Sequence, residues 1–470
     1  MELDYKELNL KIGLEIHRQM ETHKLFCHCP SILNEGIPNL KIKRYLQPVA
    51  SELEEEDLVA KFELEKERYC IYEYFNESGC LVELDEEPIY QINKHALKTA
   101  LQVAILLNAK IVDEIQIMRK QVLDYSNTGG FQRTMLIARN GFIDVDGNRI
   151  TIPTIYLEED AARKIEENEK YVVYRLDRLG VPLIEISTKP EIKTPERAKE
   201  VAAYLGMILK STGSFKSGIG TVRQDVNISI KDHSRIELKG FQDLRLIPKV
   251  IDYEIQRQLK EKNESPHVRK VEPNLTTSYL RPMPGSARLY PETDLKTIPI
   301  TKELLKTIEI PELLTDRAIN FEKKYNLPSD YAREIVSENI PFDYYAEKFK
   351  IEPKIIANLL IETPKEITTR FTIKKQLEQK DFEFVFENLQ RKKITREAAF
   401  EILKDISLDI KPDLSKYQTI SLEEIEIFIK ELAEKNKGVS ISGLMGDVMK
   451  NYRGKIDGKL AMELLKKYVK

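Results

Sequence analysis

The sequence predicts an α+β fold, in which a largely antiparallel sheet domain is followed by an all-α helical domain and a small α-helical tail domain. Before about residue 300, short runs rich in β-branched residues are separated by turn signals, and few helical patterns interrupt them. Beyond Pro299 these runs stop and apolar residues recur at helical spacing. We therefore expect domains at residues 1–300, 301–405 and 406–470.

Strands are predicted at five short segments of the first domain. Each contains Ile, Val or Tyr and lies near Gly, Asn or Asp, which favour turns. In chain order they are Leu10 to Ile16, Gly141 to Val145, Tyr171 to Arg175, Gly220 to Ile230 and Arg235 to Lys239. Strands of irregular length with few helices between them argue against a doubly wound parallel sheet.

Helices are predicted where apolar residues recur every three or four positions. In chain order these segments are Asn93 to Leu107, Thr194 to Leu209, Ser329 to Glu338, Thr395 to Ile406 and Ser421 to Lys437. Pro195 suits the first turn of the second helix. The last helix begins with Ser421 and Glu424 at capping-box spacing, and Gly438 follows its end.

The composition indicates an intracellular protein with no uniformly basic surface. The chain has 470 residues, of which 41% are hydrophobic, and its 74 Lys and Arg residues nearly balance its 77 Asp and Glu residues. RNA contact would therefore have to come from local basic patches. Four cysteines are too few for a disulfide framework, and no run approaches the ~18 apolar residues that span a bilayer. We expect a cytoplasmic protein with no membrane partner.

The first candidate site residues are Glu15 and His17, at the end of the first predicted strand. In a strand, residues two apart share a face and lie within about 7 Å of each other. One Mg²⁺ ion or one phosphate could therefore engage both side chains. The alternative interpretation is a polar strand edge.

Two further segments carry acids that point to a metal site. Glu158, Glu159 and Asp160 are consecutive, and adjacent carboxylates repel each other unless a cation or a basic partner lies close. Glu185 lies inside an apolar run, where a buried carboxylate needs a partner. Together with His17, these acids could form an oxygen-rich Mg²⁺ site that holds nucleotide phosphates. A solvated acidic face and a strand-edge Glu are the alternatives.

A fourth candidate is a polar surface on two neighbouring predicted strands. Alternation places the polar side chains of each strand on one face. These residues are Arg223, Asp225, Asn227 and Ser229 on the first strand, and Glu237 and Lys239 on the second. A surface so rich in charged and amide groups could bind a polar substrate, and the alternative is a solvent-facing hairpin.

The four cysteines are Cys27 and Cys29, on either side of His28, and then Cys70 and Cys80. They could assemble a zinc site if the later pair folds back towards the earlier one. The spacing has no short C-x-x-C pair, so plain buried thiols are favoured over structural zinc.

Nine motifs follow one another in a characteristic order along the chain. Five of them are Gly13 to Gln19, Lys24 to Pro30, Leu157 to Ala161, Arg178 to Ile186 and Gly443 to Met449. Together they resemble the B/E subunit family of tRNA-dependent amidotransferases. The other four resemble its archaeal-type E branch more than its bacterial-type B branch. These are Cys80 to Pro88, Arg119-Lys120, Ser126 to Thr134 and Tyr279 to Asp294.

The resemblance implies a synthetase- or kinase-like first domain and a carbon–nitrogen ligase of the glutamine-hydrolysing glutaminyl-tRNA synthase type. ATP would phosphorylate the side-chain carboxylate of the glutamate on Glu-tRNA(Gln), and ammonia would then displace phosphate. The ammonia would come from an asparaginase-like D subunit, in a heterotetramer of two D and two E subunits. The cofactors implied are ATP and Mg²⁺, and zinc is not carried over.

Carried over motif by motif, the family's catalytic Mg²⁺ and ATP centre falls on Glu15, His17 and Glu185, with Glu159 as a further metal ligand. Glu158 is the other possible ligand of that acidic pair. The residues that would line the adjacent nucleotide-binding wall are Arg223, Asp225, Asn227, Glu237 and Lys239. Among them, the ammonium of Lys239 could neutralise developing phosphate charge.

The resemblance assigns tRNA binding to the tail domain, which is locally basic. The cations of its last 21 residues are Lys450, Arg453, Lys455, Lys459, Lys466, Lys467 and Lys470. Asp457 and Glu463 are the only acids that follow Asp447. Such a cluster could contact RNA phosphates, and a solvated helix surface is the alternative.

One departure from the E branch is expected. Members of that branch usually carry an inserted domain that resembles part of a bacterial aspartyl-tRNA synthetase, and it would follow the segment Arg235 to Gln258. Only Leu259 to Thr277 separate that segment from Tyr279, which leaves no room for a domain. Any tRNA discrimination that the insertion provides is therefore in doubt for this chain.

Two other functions stand as alternatives. One is a B-type subunit that pairs with an amidase and acts on Asp-tRNA as well as Glu-tRNA, which the segments Leu81 to Pro88 and Ser126 to Thr134 oppose. The other is a non-catalytic tRNA-binding scaffold, which the presence of the four candidate metal ligands opposes.

Overall fold

Strands and helices are segregated along the chain, as the sequence predicts. In the computed structural model, contacts group the residues into two units, Met1–Leu313 and Leu314–Lys470. The structure describes residues 3–45, 64–122, 124–218, 220–241, 243–261, 264–283, 289–414, 417, 422–436, 440–452 and 458–468. The α+β fold class is confirmed, because the first unit holds the sheets and the second is helical. The finer division of the second half at residue 405 stays a prediction.

Most strands of the first unit belong to one large sheet. The strands in chain order are β1 (Lys11–Gln19), β2 (Leu40–Tyr45), β3 (Tyr69–Tyr74), β4 (Lys110–Ile111), β5 (Glu114–Ile115), β6 (Met118–Gln121), β7 (Phe131–Val145), β8 (Asn148–Glu159), β9 (Arg163–Glu167), β10 (Tyr171–Arg175), β11 (Pro182–Ser187), β12 (Val222–Ser229), β13 (Ile236–Phe241), β14 (His267–Val271), β15 (Thr277–Pro282), β16 (Leu289–Pro291) and β17 (Ile298–Pro299). Among the described residues, the large sheet has 11 strands in the order β15-β14-β13-β12-β1-β11-β8-β7-β6-β16, and β4 also pairs with β7.

Neighbouring strands of the large sheet are antiparallel except β13 and β14, which are parallel. A second sheet has the order β2-β3-β10-β9, and β17 pairs with β5. Parallel neighbours need a crossover, and a helix between β13 and β14 provides it. The largely antiparallel sheet predicted from the sequence is thus present.

Within the described residues, four helices belong to the first unit and the others belong to the second. They are α1 (Lys94–Leu106), α2 (Pro195–Ser211), α3 (Ile247–Lys260), α4 (Lys302–Lys306), α5 (Leu314–Tyr325), α6 (Ser329–Ser337), α7 (Phe342–Lys348), α8 (Pro353–Arg370), α9 (Gln379–Gln390), α10 (Arg396–Ser407), α11 (Leu422–Lys435), α12 (Ile441–Tyr452) and α13 (Gly458–Tyr468). The capping residues of the predicted helices account for their starts. The side chain of Asn93 accepts from the first turn of α1, and that of Thr194 caps α2.

The core of the first unit lies between the large sheet and helices α1, α2 and α3. Ile12, Leu14 and Ile16 of β1 are buried there with apolar residues of α2. Because side chains alternate along a strand, the residues between them point to the opposite face. The core therefore fixes which face of β1 carries its polar residues.

Strand bounds are where sequence and structure differ most. The predicted segment Gly141 to Val145 is only the end of β7, which begins at Phe131. The earlier part of β7 contains polar residues that face the other side of the sheet, and a bulge near Leu136 breaks the alternation. A pattern of apolar residues alone could therefore not find it. Ser421 and Gly438, the predicted ends of α11, lie outside the described residues.

The segment after α3, where we expect no inserted domain, contains only short elements of the sheet within its described residues. After α3, the described residues 264–283 contain only β14, a turn and β15. No helix in the described part of the chain is long and apolar enough to cross a membrane.

The second unit contains two apolar clusters. One joins aromatic residues such as Phe342, Tyr345 and Phe386 with the inner faces of α8 to α10. The other lies between α11, α12 and α13 and includes Ile429 and Leu444. The helical spacing of apolar residues in the sequence is thus used for helix-to-helix packing.

We expect Gly141→Ala to lower the free energy of unfolding by about 1–3 kcal/mol. A Cβ at Gly141 of β7 would lie 2.7 Å from the carbonyl oxygen of Leu107 and 2.9 Å from the Cβ of Ala109, just after α1. The matched variant is Gly206→Ala in α2, where a Cβ meets nothing within 4 Å. It should be neutral or stabilising by up to about 1 kcal/mol, because alanine favours helices over glycine. Denaturant unfolding of both variants checks this, and equal stability of the two would contradict it.

Candidate functional site

The central strands of the large sheet carry their polar side chains on the face opposite the core. We call it the polar face, and its residues are Glu15, His17, Glu158, Glu185, Arg223, Asp225, Asn227, Glu237 and Lys239. The strand register aligns them in rows: His17 on β1 lies opposite both Glu185 on β11 and Arg223 on β12. In the next row, Glu15 lies opposite Asp225. Segments far apart in the sequence thus meet on one surface.

His17, Glu158 and Glu185 form a first trio. They can offer one ligand atom each, and these atoms lie within 4.8 Å of one another. His17 Nε2 is 3.3 Å from Glu185 Oε2. Burial opposes the charge on both side chains, but their mutual contact outweighs it, raising the pKa of His17 and lowering the pKa of Glu185 to about 2. With no cation bound, this contact therefore favours the charged form of each side chain.

Glu158 is buried, and both of its carboxylate oxygens accept hydrogen bonds. Its Oε1 accepts from Lys120 Nζ and Thr134 Oγ1, each at 2.6 Å, and its Oε2 accepts from Gln132 Nε2 at 3.1 Å. Burial, together with the nearby charge of Glu185, raises the pKa of Glu158, although Lys120 opposes this. The carboxylate is therefore oriented by neighbours on β6 and β7.

Glu15, Asp225 and Glu237 form a second trio beside the first, also with possible ligand atoms within 4.8 Å of one another. Lys239 Nζ lies 2.5 Å from both Asp225 Oδ2 and Glu237 Oε1. Asn227 Nδ2 donates to Glu15 Oε1 at 3.1 Å. Burial and then the charges of Glu237 and Glu185 raise the pKa of Glu15 to about 7. A cation in this trio would relieve that repulsion.

The three consecutive acids at the end of β8 contact three different basic side chains. Glu158 contacts Lys120, Glu159 contacts Arg133 with Nη1 at 3.3 Å from Oε2, and Asp160 accepts from Arg223 Nη2 at 2.8 Å. Each acid thus has its own basic partner, which removes the repulsion expected from the sequence. The triplet is not a solvated face, because all three side chains are buried.

The structure brings Glu158, and not Glu159, beside His17 and Glu185. Neighbouring residues of a strand point to opposite sides, so Glu159 turns away and pairs with Arg133. Of the residues expected along the nucleotide wall, Asp225, Asn227, Glu237 and Lys239 lie in or against the second trio. Arg223 pairs instead with Asp160, and the roles of all five residues at that wall stay proposals.

Two features of the site are missed by reasoning from the residues alone. Lys120 appears in the sequence only as part of a basic pair on a short strand, and nothing local links it to Glu158. Glu292 is fully buried and accepts from Arg119 Nε at 2.9 Å and from Arg133 Nε at 2.8 Å. Its position in the motif Tyr279 to Asp294 is the one available signal, and residues 284–288 of that motif lie outside the described residues.

Three of the four cysteines converge. Cys27, Cys29 and Cys80 can place their sulfurs within 4.8 Å of each other and of a carboxylate oxygen of Glu83. Cys70 is buried in a separate apolar cluster. A hydrogen bond with the side chain of Cys27 lowers the pKa of the Cys80 thiol to about 7. Of the later pair, Cys80 thus approaches Cys27 and Cys29, and Cys70 does not. The preference for plain thiols over structural zinc stays a prediction.

The basic tail is described only in part. Lys467 lies 2.9 Å from Glu426. The side chains of Lys450, Arg453, Lys455, Asp457, Lys459 and Lys470 lie outside the described residues. The expected contact of this cluster with RNA therefore stays a prediction.

Comparison with known proteins places this chain in a family. Residues 10–306 match the GatB/GatE catalytic domain. The E subunit of the glutamyl-tRNA(Gln) amidotransferase from Archaeoglobus fulgidus is 37% identical, with 100% of this chain and 99% of that protein covered. The E subunits of the same enzyme from Methanocaldococcus jannaschii (100% of each chain covered) and Methanococcus maripaludis strain C7 (100% of this chain and 99% of that protein) are 36% and 34% identical.

The lengths of these alignments bear on the missing insertion. The alignment with the Archaeoglobus fulgidus protein extends over 616 residues, whereas this chain has 470. Part of that relative therefore has no counterpart in this chain. An inserted domain that is absent here would produce this difference.

We expect Glu292→Gln to destabilise the protein by about 3 kcal/mol or more, because it leaves two partly buried guanidinium groups without their shared carboxylate. The matched variant is Asp294→Asn, whose carboxylate is 42% exposed and 3.7 Å from Arg119. It should cost less than about 1 kcal/mol. Denaturant unfolding measures both, and a cost for Glu292→Gln no larger than for Asp294→Asn would contradict the structural role of Glu292.

Proposed function

The chain belongs to the GatB/GatE family of tRNA-dependent amidotransferase subunits, in its E branch, and we propose accordingly that it converts Glu-tRNA(Gln) to Gln-tRNA(Gln) with ATP. The observation that carries the proposal is the pair of trios on one polar face, with a lysine against each. This arrangement suits charge neutralisation around phosphate groups and needs no protein nucleophile.

The chemistry explains why ATP is needed. A carboxylate reacts poorly with ammonia because its oxygen is a poor leaving group. The side-chain oxygen of the tRNA-bound glutamate attacks the γ-phosphorus of ATP and ADP leaves, which gives an acyl phosphate. Ammonia then attacks the acyl carbon, phosphate leaves with the C–O bonding electrons, and the amide forms after loss of a proton.

The donor set fits a hard divalent cation. The two trios offer five carboxylates and one imidazole, and carboxylate oxygens are the ligands that Mg²⁺ prefers. His17, Glu158 and Glu185 would hold one ion, and Glu15, Asp225 and Glu237 would accept a second or position the first. When bound, Mg²⁺ would supply positive charge to the transferring phosphoryl group.

The protein's own cations are placed to assist. Lys239 lies between Asp225 and Glu237, and its ammonium would face phosphate oxygens that approach the second trio. Burial opposes its charge, but Asp225 and Glu237 raise the pKa of Lys239, so it stays charged at neutral pH. Asn227 orients Glu15 by a hydrogen bond. These residues would position ATP and stabilise developing charge.

The reaction needs a supply of ammonia and a means of holding tRNA. We propose that an asparaginase-like D subunit supplies the ammonia in a cytoplasmic heterotetramer of two D and two E subunits, and that the tail at 406–470 contacts the tRNA. A B-type subunit acting with an amidase is the second candidate in this class. A scaffold that has lost its chemistry is disfavoured by the trios, whose side chains are held in place by specific partners.

The deciding experiment mixes the protein with Glu-tRNA(Gln), Mg²⁺ and ATP labelled at the γ-phosphate, and then adds ammonia. We expect labelled phosphate to be released and Gln-tRNA(Gln) to form. If neither appears at high ammonia concentration, the proposed function is wrong. Replacing Glu-tRNA(Gln) by Asp-tRNA distinguishes the E-type from the B-type activity, since only the latter would amidate both.

We expect Glu185→Gln to lower ATP-dependent phosphate release by at least about 100-fold, because it removes a carboxylate from the first trio and the charge partner of His17. Binding of Glu-tRNA(Gln) should be unchanged. Glu166→Gln, on the exposed strand β9, is the matched control and should keep full activity. Normal turnover of Glu185→Gln would remove Glu185 from the catalytic centre.

Removal of residues 406–470 should weaken tRNA binding more than ATP binding, because the tail carries the basic cluster whereas the trios lie in the first unit. Filter binding with labelled tRNA and calorimetry with ATP measure the two affinities. Equal losses of both would indicate misfolding and contradict a specific role of the tail in binding tRNA.

A further inference from the structure

We propose that the ammonium of Lys120 and a divalent cation compete for the carboxylates of Glu158 and Glu185, so that Lys120 is displaced when the cation binds the first trio. The inference rests on the proposed function in one respect, because it takes the first trio as a divalent-cation site. It assigns Lys120 a role as a positioning residue.

The geometry shows that the two cations would use the same oxygens. Lys120 Nζ lies 2.6 Å from Glu158 Oε1 and 4.0 Å from Glu185 Oε2. Those carboxylates, with His17, are the ones whose possible ligand atoms lie within 4.8 Å of one another. An ion bound by all three side chains would therefore lie close to the ammonium.

Charge makes the two occupants incompatible. A divalent cation and an ammonium about 4 Å apart repel strongly at a site that is partly screened from solvent. Glu158 also accepts from two neutral groups, the hydroxyl of Thr134 and the amide of Gln132, and these contacts can remain when a metal binds. Among the described residues, Lys120 is the cation that contacts Glu158 directly, and it therefore opposes a second cation there.

The same contact stabilises the trio when no divalent cation is bound. Glu158 and Glu185 are like charges at short range, and an ammonium between them compensates their repulsion. After displacement, the ammonium no longer contacts Glu158. Under the proposed function, ATP delivers a phosphate to this place, and the freed ammonium can contact its oxygens.

The test measures Mn²⁺ binding by the full chain without ATP or tRNA, from the electron paramagnetic resonance signal of free Mn²⁺. Lys120→Met and Lys120→Gln should bind Mn²⁺ at least about tenfold more tightly than the wild type, because both remove the competing charge. Lys120→Arg keeps the charge and should bind as weakly as the wild type. Lys164→Met is the control for net charge, since Lys164 pairs with Glu167 on β9, and should leave the affinity unchanged.

Unchanged or weaker Mn²⁺ binding by the neutral variants would overturn the proposal, as would equal tightening in Lys164→Met. If Lys120→Met does not fold, Lys120→Gln decides, because its amide can still donate to Glu158. A larger rise in melting temperature on adding Mn²⁺ to Lys120→Gln than to the wild type would support the proposal independently.

Phosphate release from ATP, measured on the same preparations with Glu-tRNA(Gln), separates this inference from the proposed function. If the wild type releases phosphate but Lys120→Gln binds Mn²⁺ no more tightly, the competition alone is wrong. If the wild type releases none while Lys120→Gln binds Mn²⁺ more tightly, the proposed function is wrong and the competition stands.

Discussion

Compensation of buried negative charge is the constraint on which the polar face depends. Glu158, Glu159 and Asp160 are consecutive and buried, and removing three carboxylates from water without partners would cost far more than a domain's net stability. Each is compensated by a different cation, Lys120, Arg133 or Arg223. The three acids can be buried next to one another in the chain only because other strands of the sheet supply those bases.

This compensation also ties distant parts of the first unit together. Arg133 contacts both Glu159 and Glu292, and Glu292 in turn binds Arg119 on β6. The segment that carries Glu292 follows β15 in the chain, yet β16 pairs with β6 at the far end of the large sheet. A disturbance at Glu292 would therefore reach the strand that carries Lys120. Ion pairs next to the candidate site therefore also contribute to the stability of the fold in this region.

Much of the site could be predicted from single residues in their local pattern. Alternation along β1 places Glu15 and His17 together on one face, and the apolar run around Glu185 indicates that its carboxylate needs a partner, which is His17. The choice between Glu158 and Glu159 could not be made in this way. Alternation shows only that the two point to opposite sides, and the pairing of β8 with β11 decides which side carries His17.

Local sequence was enough to establish the fold class, the positions of the main helices and the family, because apolar periodicity, capping residues and ordered motifs are properties of short stretches of chain. Only the pairing of the strands decided three features of the site. These are the composition of the two trios, the contact of Glu159 with Arg133 and the contact of Lys120 with Glu158. These contacts join strands that are separated by tens to hundreds of residues. Their energies depend on strand register and burial, which no local pattern specifies.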